Sequence, residues 1–72
     1  MENVNCKVKG DRLLFINNPN AICINVFDIN GACVYNNYSP GKLNSVCQLQ
    51  DGEYLVVMNV LSGECLVQKI AI

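Results

Sequence analysis

The side chains with the most chemistry in this chain are five cysteines: Cys6, Cys23, Cys33, Cys47 and Cys65. No two stand in a C-x-x-C pair, so neither a redox dithiol nor a zinc knuckle is written along the sequence. An all-thiolate zinc site would need four of them gathered from separate strands. Disulfides suit an exported protein, but an odd count leaves at least one thiol unpaired or intermolecular. The favoured expectation is that they are small buried hydrophobes on strands. A nucleophilic cysteine needs a neighbour that lowers its pKa. The chain has no His, so only Lys or Arg could serve.

The carboxylates Asp28, Asp51, Glu53 and Glu64 fall at or near turn residues. Asp51 and Glu53 could supply half of an acid–base pair or a weak calcium site; solvated turn residues are the expected reading. Without His, the commonest general base and the commonest nitrogen ligand for metals are both missing. Asn37-Tyr38-Ser39 fits a glycosylation acceptor, with Pro40 following. Tyr35 and Tyr38, beside Asn36 and Asn37, could make a small recognition patch in a loop. The expectation is no enzyme, no catalytic residue, no cofactor and no metal.

The elements that must carry these residues are short. The 72 residues allow one domain, spanning 1–72. Half the chain (51%) is hydrophobic and 15% is charged, too apolar for a disordered tail. Five basic side chains against six acidic ones cannot build a surface for a phosphate backbone. No run reaches the roughly 20 apolar residues of a membrane span. The expectation is therefore no nucleic acid and no membrane span. The start, Met1-Glu2-Asn3-Val4-Asn5, is polar and acidic, unlike a signal peptide.

The apolar period is mostly two. Val4, Cys6 and Val8 alternate with Asn5, Lys7 and Lys9 as a half-buried strand. Arg12 to Ile16 is a second strand, and Asn17-Asn18-Pro19-Asn20 is a turn. Ala21 to Ile29 is the strongest strand, with Ile22, Ile24 and Val26 on one face and Cys23, Asn25, Phe27 and Ile29 on the other. Both faces are partly apolar, so it should be central. Asn30-Gly31 is a hairpin signal, and Ala32 to Asn36 returns, with Val34 facing opposite to Cys33 and Tyr35. Asn37 to Lys42 reads as a loop, and Leu43 to Gln50 as a short strand. Glu53 to Val60 places Tyr54, Val56, Met58 and Val60 on one face. Leu61-Ser62-Gly63-Glu64 closes a hairpin to Cys65–Ile72, where Leu66, Ile70 and Ile72 share a face. About seven short strands with turn signals between them predict an all-β fold, a small antiparallel β-sandwich.

From Leu13 onward the chain resembles the type A C-terminal sorting domain of the type IX (Por) secretion system of Bacteroidetes. The matching residues come in order: Asn18-Pro19; then Ile24-Asn25-Val26-Phe27-Asp28-Ile29-Asn30-Gly31; then Val34-Tyr35; then Leu49 with Gly52-Glu53-Tyr54-Leu55; and finally Lys69-Ile70-Ala71-Ile72. The resemblance covers about 60 of the 72 residues. Short secreted proteins of gut Bacteroides, of unknown function, share much of the pattern, and the stretch before Leu13 fits them at least as well. Five cysteines are unusual for the sorting domain, and Ala32 and Cys33 stand where it has basic residues.

Both groups imply an immunoglobulin-like sandwich. The resemblance implies an exported module, its leader absent from this sequence, that the outer-membrane translocon recognises. Lys69, Ile70, Ala71 and Ile72 would then be the sorting residues. A free-standing small secreted or periplasmic protein acting as a protein-binding or adhesive module, with edge strands able to form a homodimer, is the other expectation. Asn18, Pro19, Asp28, Gly31, Gly52 and Tyr54 have a structural reading. The glycines suit turns that need positive φ. Asp28 can accept from the backbone of its own turn. Tyr54 can bury its ring and tie its hydroxyl to a nearby loop.

Overall fold

The computed structural model describes residues 4–10, 12–38, 44–46 and 49–72. Six strands of four or more residues carry the fold: β1 (Cys6–Lys9), β2 (Leu13–Ile16), β3 (Ala21–Asp28), β4 (Cys33–Asn37), β6 (Glu53–Val60) and β7 (Cys65–Ala71). A three-residue segment, β5 (Asn44–Val46), pairs with β2. All pairings are antiparallel. One sheet has the order β1-β2-β5 and the other β4-β3-β6-β7. The fold is all-β and sandwich-like, with no helix among the described residues. Of the stretch expected as a strand from Leu43 to Gln50, Asn44–Val46 is extended; Leu43, Cys47 and Gln48 lie outside the described residues, as do Ser39 and Pro40 of the glycosylation pattern and the loop through Gly41 and Lys42.

The inward faces of both sheets make one core. Leu14 and Ile16 of β2 meet Ile24 and Val26 of β3 and Tyr54, Val56, Met58 and Val60 of β6, with Val4 and Leu49 completing the cluster. Alternation is the cause: every second residue of β6 is buried. Each fully buried aliphatic side chain contributes about 1.5–3 kcal/mol. Leu66, Ile70 and Ile72 pack against the rim of this cluster.

Three local departures from alternation re-aim side chains. A register shift between Ala21 and Cys23 lets Ala21 pack on the core and tips Ile22 outward, 47% exposed. Ile22 therefore does not share the buried face of Ile24 and Val26, as its spacing predicts, because the bulge adds a residue to β3. A second shift, opposite Val26 and Phe27, pairs Cys33 with Phe27 and Tyr35 with Val26. Cys33 is thus exposed while Tyr35 packs on the core, and Val34 is the extra residue. The third departure is Asn5, which adopts φ 57°. Its Nδ2 donates to the Asn17 carbonyl at 2.7 Å and its own carbonyl accepts from Asn17 N–H at 3.1 Å. The side-chain amide thus extends the ladder where the backbone has turned away. Val4 is buried beyond it, whereas Val8, at the far end of β1, is 40% exposed.

Candidate functional site

The four-stranded sheet ends on β7, and β7 holds the residues the resemblance singles out. Gly52 and Ile72 exchange both backbone hydrogen bonds, N–H of Ile72 to the Gly52 carbonyl at 2.8 Å and the reverse at 3.0 Å. Val60 N–H donates to the Glu64 carbonyl at 3.1 Å. In an antiparallel ladder the bonded pairs alternate. The register therefore assigns Glu64, Leu66, Gln68, Ile70 and Ile72 to the β6 side. Cys65, Val67, Lys69 and Ala71 then present their N–H and C=O groups to the other edge, which pairs with no strand among the described residues. Those four carry their side chains on the outer face of the sheet, while Leu66, Ile70 and Ile72 face the core.

Most of the singled-out residues converge at one end of this sheet. Asp28 pairs with Tyr54, Tyr54 with Ile70, and Glu53 with Ala71. Lys69 Nζ lies 3.4 Å from Glu53 Oε1, an exposed ion pair that runs across β6 and β7. The Tyr54 ring is 8% exposed, and its hydroxyl donates to the Gln50 carbonyl at 2.8 Å, closing the corner that Gly52 turns at φ 151°. Asp28 Oδ1 accepts from the N–H groups of Asn30 and Ala32, each at 2.9 Å, and Gly31 takes φ 85° within that turn. A shallow cleft of about 230 Å³ lies among Asp28, Ile29, Glu53, Tyr54, Leu55 and Lys69. Sequence reasoning passed over Glu53 as the partner of Lys69 and over Ile29, 74% exposed at the turn. The signal for Glu53 was the register: it lies on β6 two residues from Leu55, which pairs with Lys69. Asn18 and Pro19 lie elsewhere, in the turn before β3. Asn18 is buried, and its Oδ1 accepts from Asn20 N–H at 2.9 Å. Asn20 in turn accepts from Leu61 N–H at 2.9 Å.

The arrangement does not assemble the chemistry weighed for the carboxylates. Asp51 is held by Arg12 at 3.0 Å and Glu53 by Lys69, so the two have separate cations. No group of three possible metal ligands occurs among the described residues. The tyrosine patch is not formed either, since Tyr35 packs on the core and accepts from Asn37 Nδ2 at 3.0 Å while Tyr38 is 72% exposed.

The cysteines correct the expectation of buried hydrophobes. Cys33 and Cys65 are exposed, and Cys6 and Cys23 are half-buried; Cys47 lies outside the described residues. Cys23, Cys33 and Cys65 all occupy outward positions of the four-stranded sheet, because outward is where the alternation and the β4 bulge leave them. Cys23 and Cys65 both neighbour Asn59, on opposite sides. Two strand spacings of about 4.8 Å put them too far apart for a bond that needs Cα atoms within about 7 Å. Burial pushes the Cys6 thiol above its ordinary pKa.

No protein-family model matches the chain, and no curated protein matches it either. No helix among the described residues is long and apolar enough to cross a membrane.

Proposed function

We propose that this chain is a non-enzymatic exported module, immunoglobulin-like in its sandwich, that a secretion translocon recognises through the free edge of β7. The single observation behind this reading is the place of the last four residues. Among the described residues, Lys69 and Ala71 offer unpaired backbone groups at an open edge, while Ile70 and Ile72 anchor that edge to the core. An extended segment of a receptor adds to such an edge by main-chain hydrogen bonds, and the side chains beside it supply selectivity. The order of the sorting-domain motifs supports the same end of the sheet.

Removing Lys69–Ile72 is a poor test, because it also strips Ile70 and Ile72 from the core and unpairs Gly52. A proline at an outward edge position is better. It deletes one edge N–H and leaves the β6 ladder intact. The experiment fuses the 72 residues behind a reporter with a leader peptide, in a bacterium carrying the type IX translocon. The intact fusion should reach the surface or medium. Val67→Pro and Lys69→Pro should strand it in the periplasm while the purified domain keeps its strand signal in circular dichroism. Ile70→Pro, which breaks the inner ladder, serves as the unfolded control. Delivery of both edge-proline fusions at the level of the intact one would sink the reading.

A second reading is favoured by Val4, which is 1% exposed and joins the core from outside the region of the resemblance. On that reading the chain is a free-standing secreted or periplasmic module that binds a protein partner or pairs with itself through an edge strand. Retention of the intact fusion in the periplasm favours it.

A further inference from the structure

The outward face of the β1–β2 pair holds a cleft of about 310 Å³, lined by Asn5, Lys7, Lys9, Phe15 and Asn17. It is separate from β7 and from every residue of the sorting reading. The register explains the set: Asn5 stands opposite Asn17 and Lys7 opposite Phe15, and Lys9 continues the same face. Its volume is at the lower end of the roughly 300–1,000 Å³ typical of ligand sites.

The charges in it are of one sign. Arg12 and Lys69 are each neutralised by a carboxylate, whereas Lys7 and Lys9 make no ion pair among the described residues. At i and i+2 on one strand they sit roughly 6.6–6.8 Å apart along the backbone. Lys9 Nζ lies over the Phe15 ring, 6.0 Å from its centroid, at the outer limit of a cation–π contact, so it is only weakly held there. Asn5 is fixed by its two bonds to Asn17. Its Nδ2 is used, and its Oδ1 accepts nothing among the described residues. The site is thus an aromatic side chain, two exposed cations and, at one end, amides of which Asn5 is held in place by its bonds to Asn17.

We propose that this cleft binds an anionic sugar. The apolar C–H face of the ring would lie on Phe15, its carboxylate or sulfate would meet Lys7 and Lys9, and Asn5 and Asn17 would bond ring hydroxyls. A nucleic acid is disfavoured, because two cations in a chain of net charge −1 give no track for a phosphate backbone. A peptide adding to the β1 edge would bypass the cleft, which opens on the face of the sheet.

The test is a titration of the isotope-labelled chain, followed by amide chemical shifts at low salt. The probes are digalacturonate, galactose 6-sulfate, lactose, inorganic sulfate and adenosine monophosphate. Digalacturonate, galactose 6-sulfate or both should shift the amides of Asn5, Lys7, Lys9, Phe15 and Asn17, with a dissociation constant on the order of 1 mM. Binding by the first alone identifies a uronic acid, by the second alone a sulfated sugar. Lactose should bind about tenfold more weakly, and Lys7→Gln and Lys9→Gln should each cost about tenfold, as charge-assisted bonds are lost. Phe15→Leu, which keeps an apolar side chain, should erase the advantage over inorganic sulfate. Lys7 and Lys9 are exposed, so their substitutions preserve the fold if Phe15→Leu does not. The proposal is overturned if inorganic sulfate binds as tightly as the acidic sugars, if the nucleotide binds more tightly, or if neither acidic sugar shifts these amides.

Discussion

Tyr54 offers a way to divide a corner into its ring and its hydroxyl. The ring is buried against the core, and the hydroxyl donates to the Gln50 carbonyl at 2.8 Å. Tyr54→Phe removes the bond alone. Gln50 is exposed, so water can take over its carbonyl, and the cost should be about 0.5–1 kcal/mol. Tyr54→Ala removes the ring as well and leaves a cavity beside Ile70, its partner across the ladder. Aromatic truncations of this kind cost about 3–5 kcal/mol. A stability of roughly 0.05–0.15 kcal/mol per residue gives a domain of this length about 4–11 kcal/mol in all, so Tyr54→Ala should remove at least about a quarter of it. Urea unfolding followed by far-ultraviolet circular dichroism measures both. With a slope near 1 kcal/mol per molar, expected for a small domain, Tyr54→Phe should lower the midpoint by about 0.5–1 M. The reasoning is refuted if Tyr54→Ala costs less than about 1 kcal/mol, or if the two substitutions cost the same.

Gly52→Val should destabilise by more than about 2 kcal/mol: no atom lies near the added Cβ, so the cost is that of holding φ 151° with a β-branched residue, and a midpoint within about 0.5 M of the parent would contradict it. Asp28→Ala should cost about 1–2 kcal/mol by the same assay, since the N–H groups of Asn30 and Ala32 lose their shared acceptor, Asp28 Oδ1, and Asp28→Asn should restore part of it. Among the thiols, peptide mapping after brief alkylation should show Cys33 and Cys65 modified well before Cys6. Because the folded Cys6 pKa is raised, its contribution to stability is present below the ordinary thiol range and is lost as pH rises through the folded value. A Cys6→Ser chain should lose less stability than the parent on going from neutral pH to strongly alkaline pH; equal losses would contradict this.

Where neighbours in sequence decide a conformation, the residues could be read directly. Asp28-Ile29-Asn30-Gly31 is a turn because an acceptor, a short polar residue and a glycine meet there, and all of that is local. Tyr54 to Val60 alternates without a break, so its buried face follows from spacing. The errors sit where the backbone leaves the simple period. Ile22 and Cys33 were placed on the wrong faces because a bulge is decided by the partner strand, and the partner is distant in sequence. Asn5 looked like an ordinary polar residue of a strand; its left-handed backbone follows from the bond it makes to Asn17. The cysteines were assigned to the interior by residue type, and their positions on outward faces prevailed. The cleft over Phe15 needed the β1–β2 register, which joins Lys7 to a residue eight positions away.

The pairing of β3 with β6 has a consequence for how the molecule comes into being. The central ladder joins residues near 25 to residues near 57, and β2 likewise waits for β5. The hairpins formed by β1–β2 and β3–β4 can close early and face each other through Leu14, Ile16, Ile24 and Val26, but the core stays incomplete without Tyr54, Val56, Met58 and Val60 of β6. Topologies ruled by such distant pairings fold slowly for their size, because a long loop must close before its contacts can compensate. The core is complete only when β6 joins it, and β7, which pairs with β6, follows it.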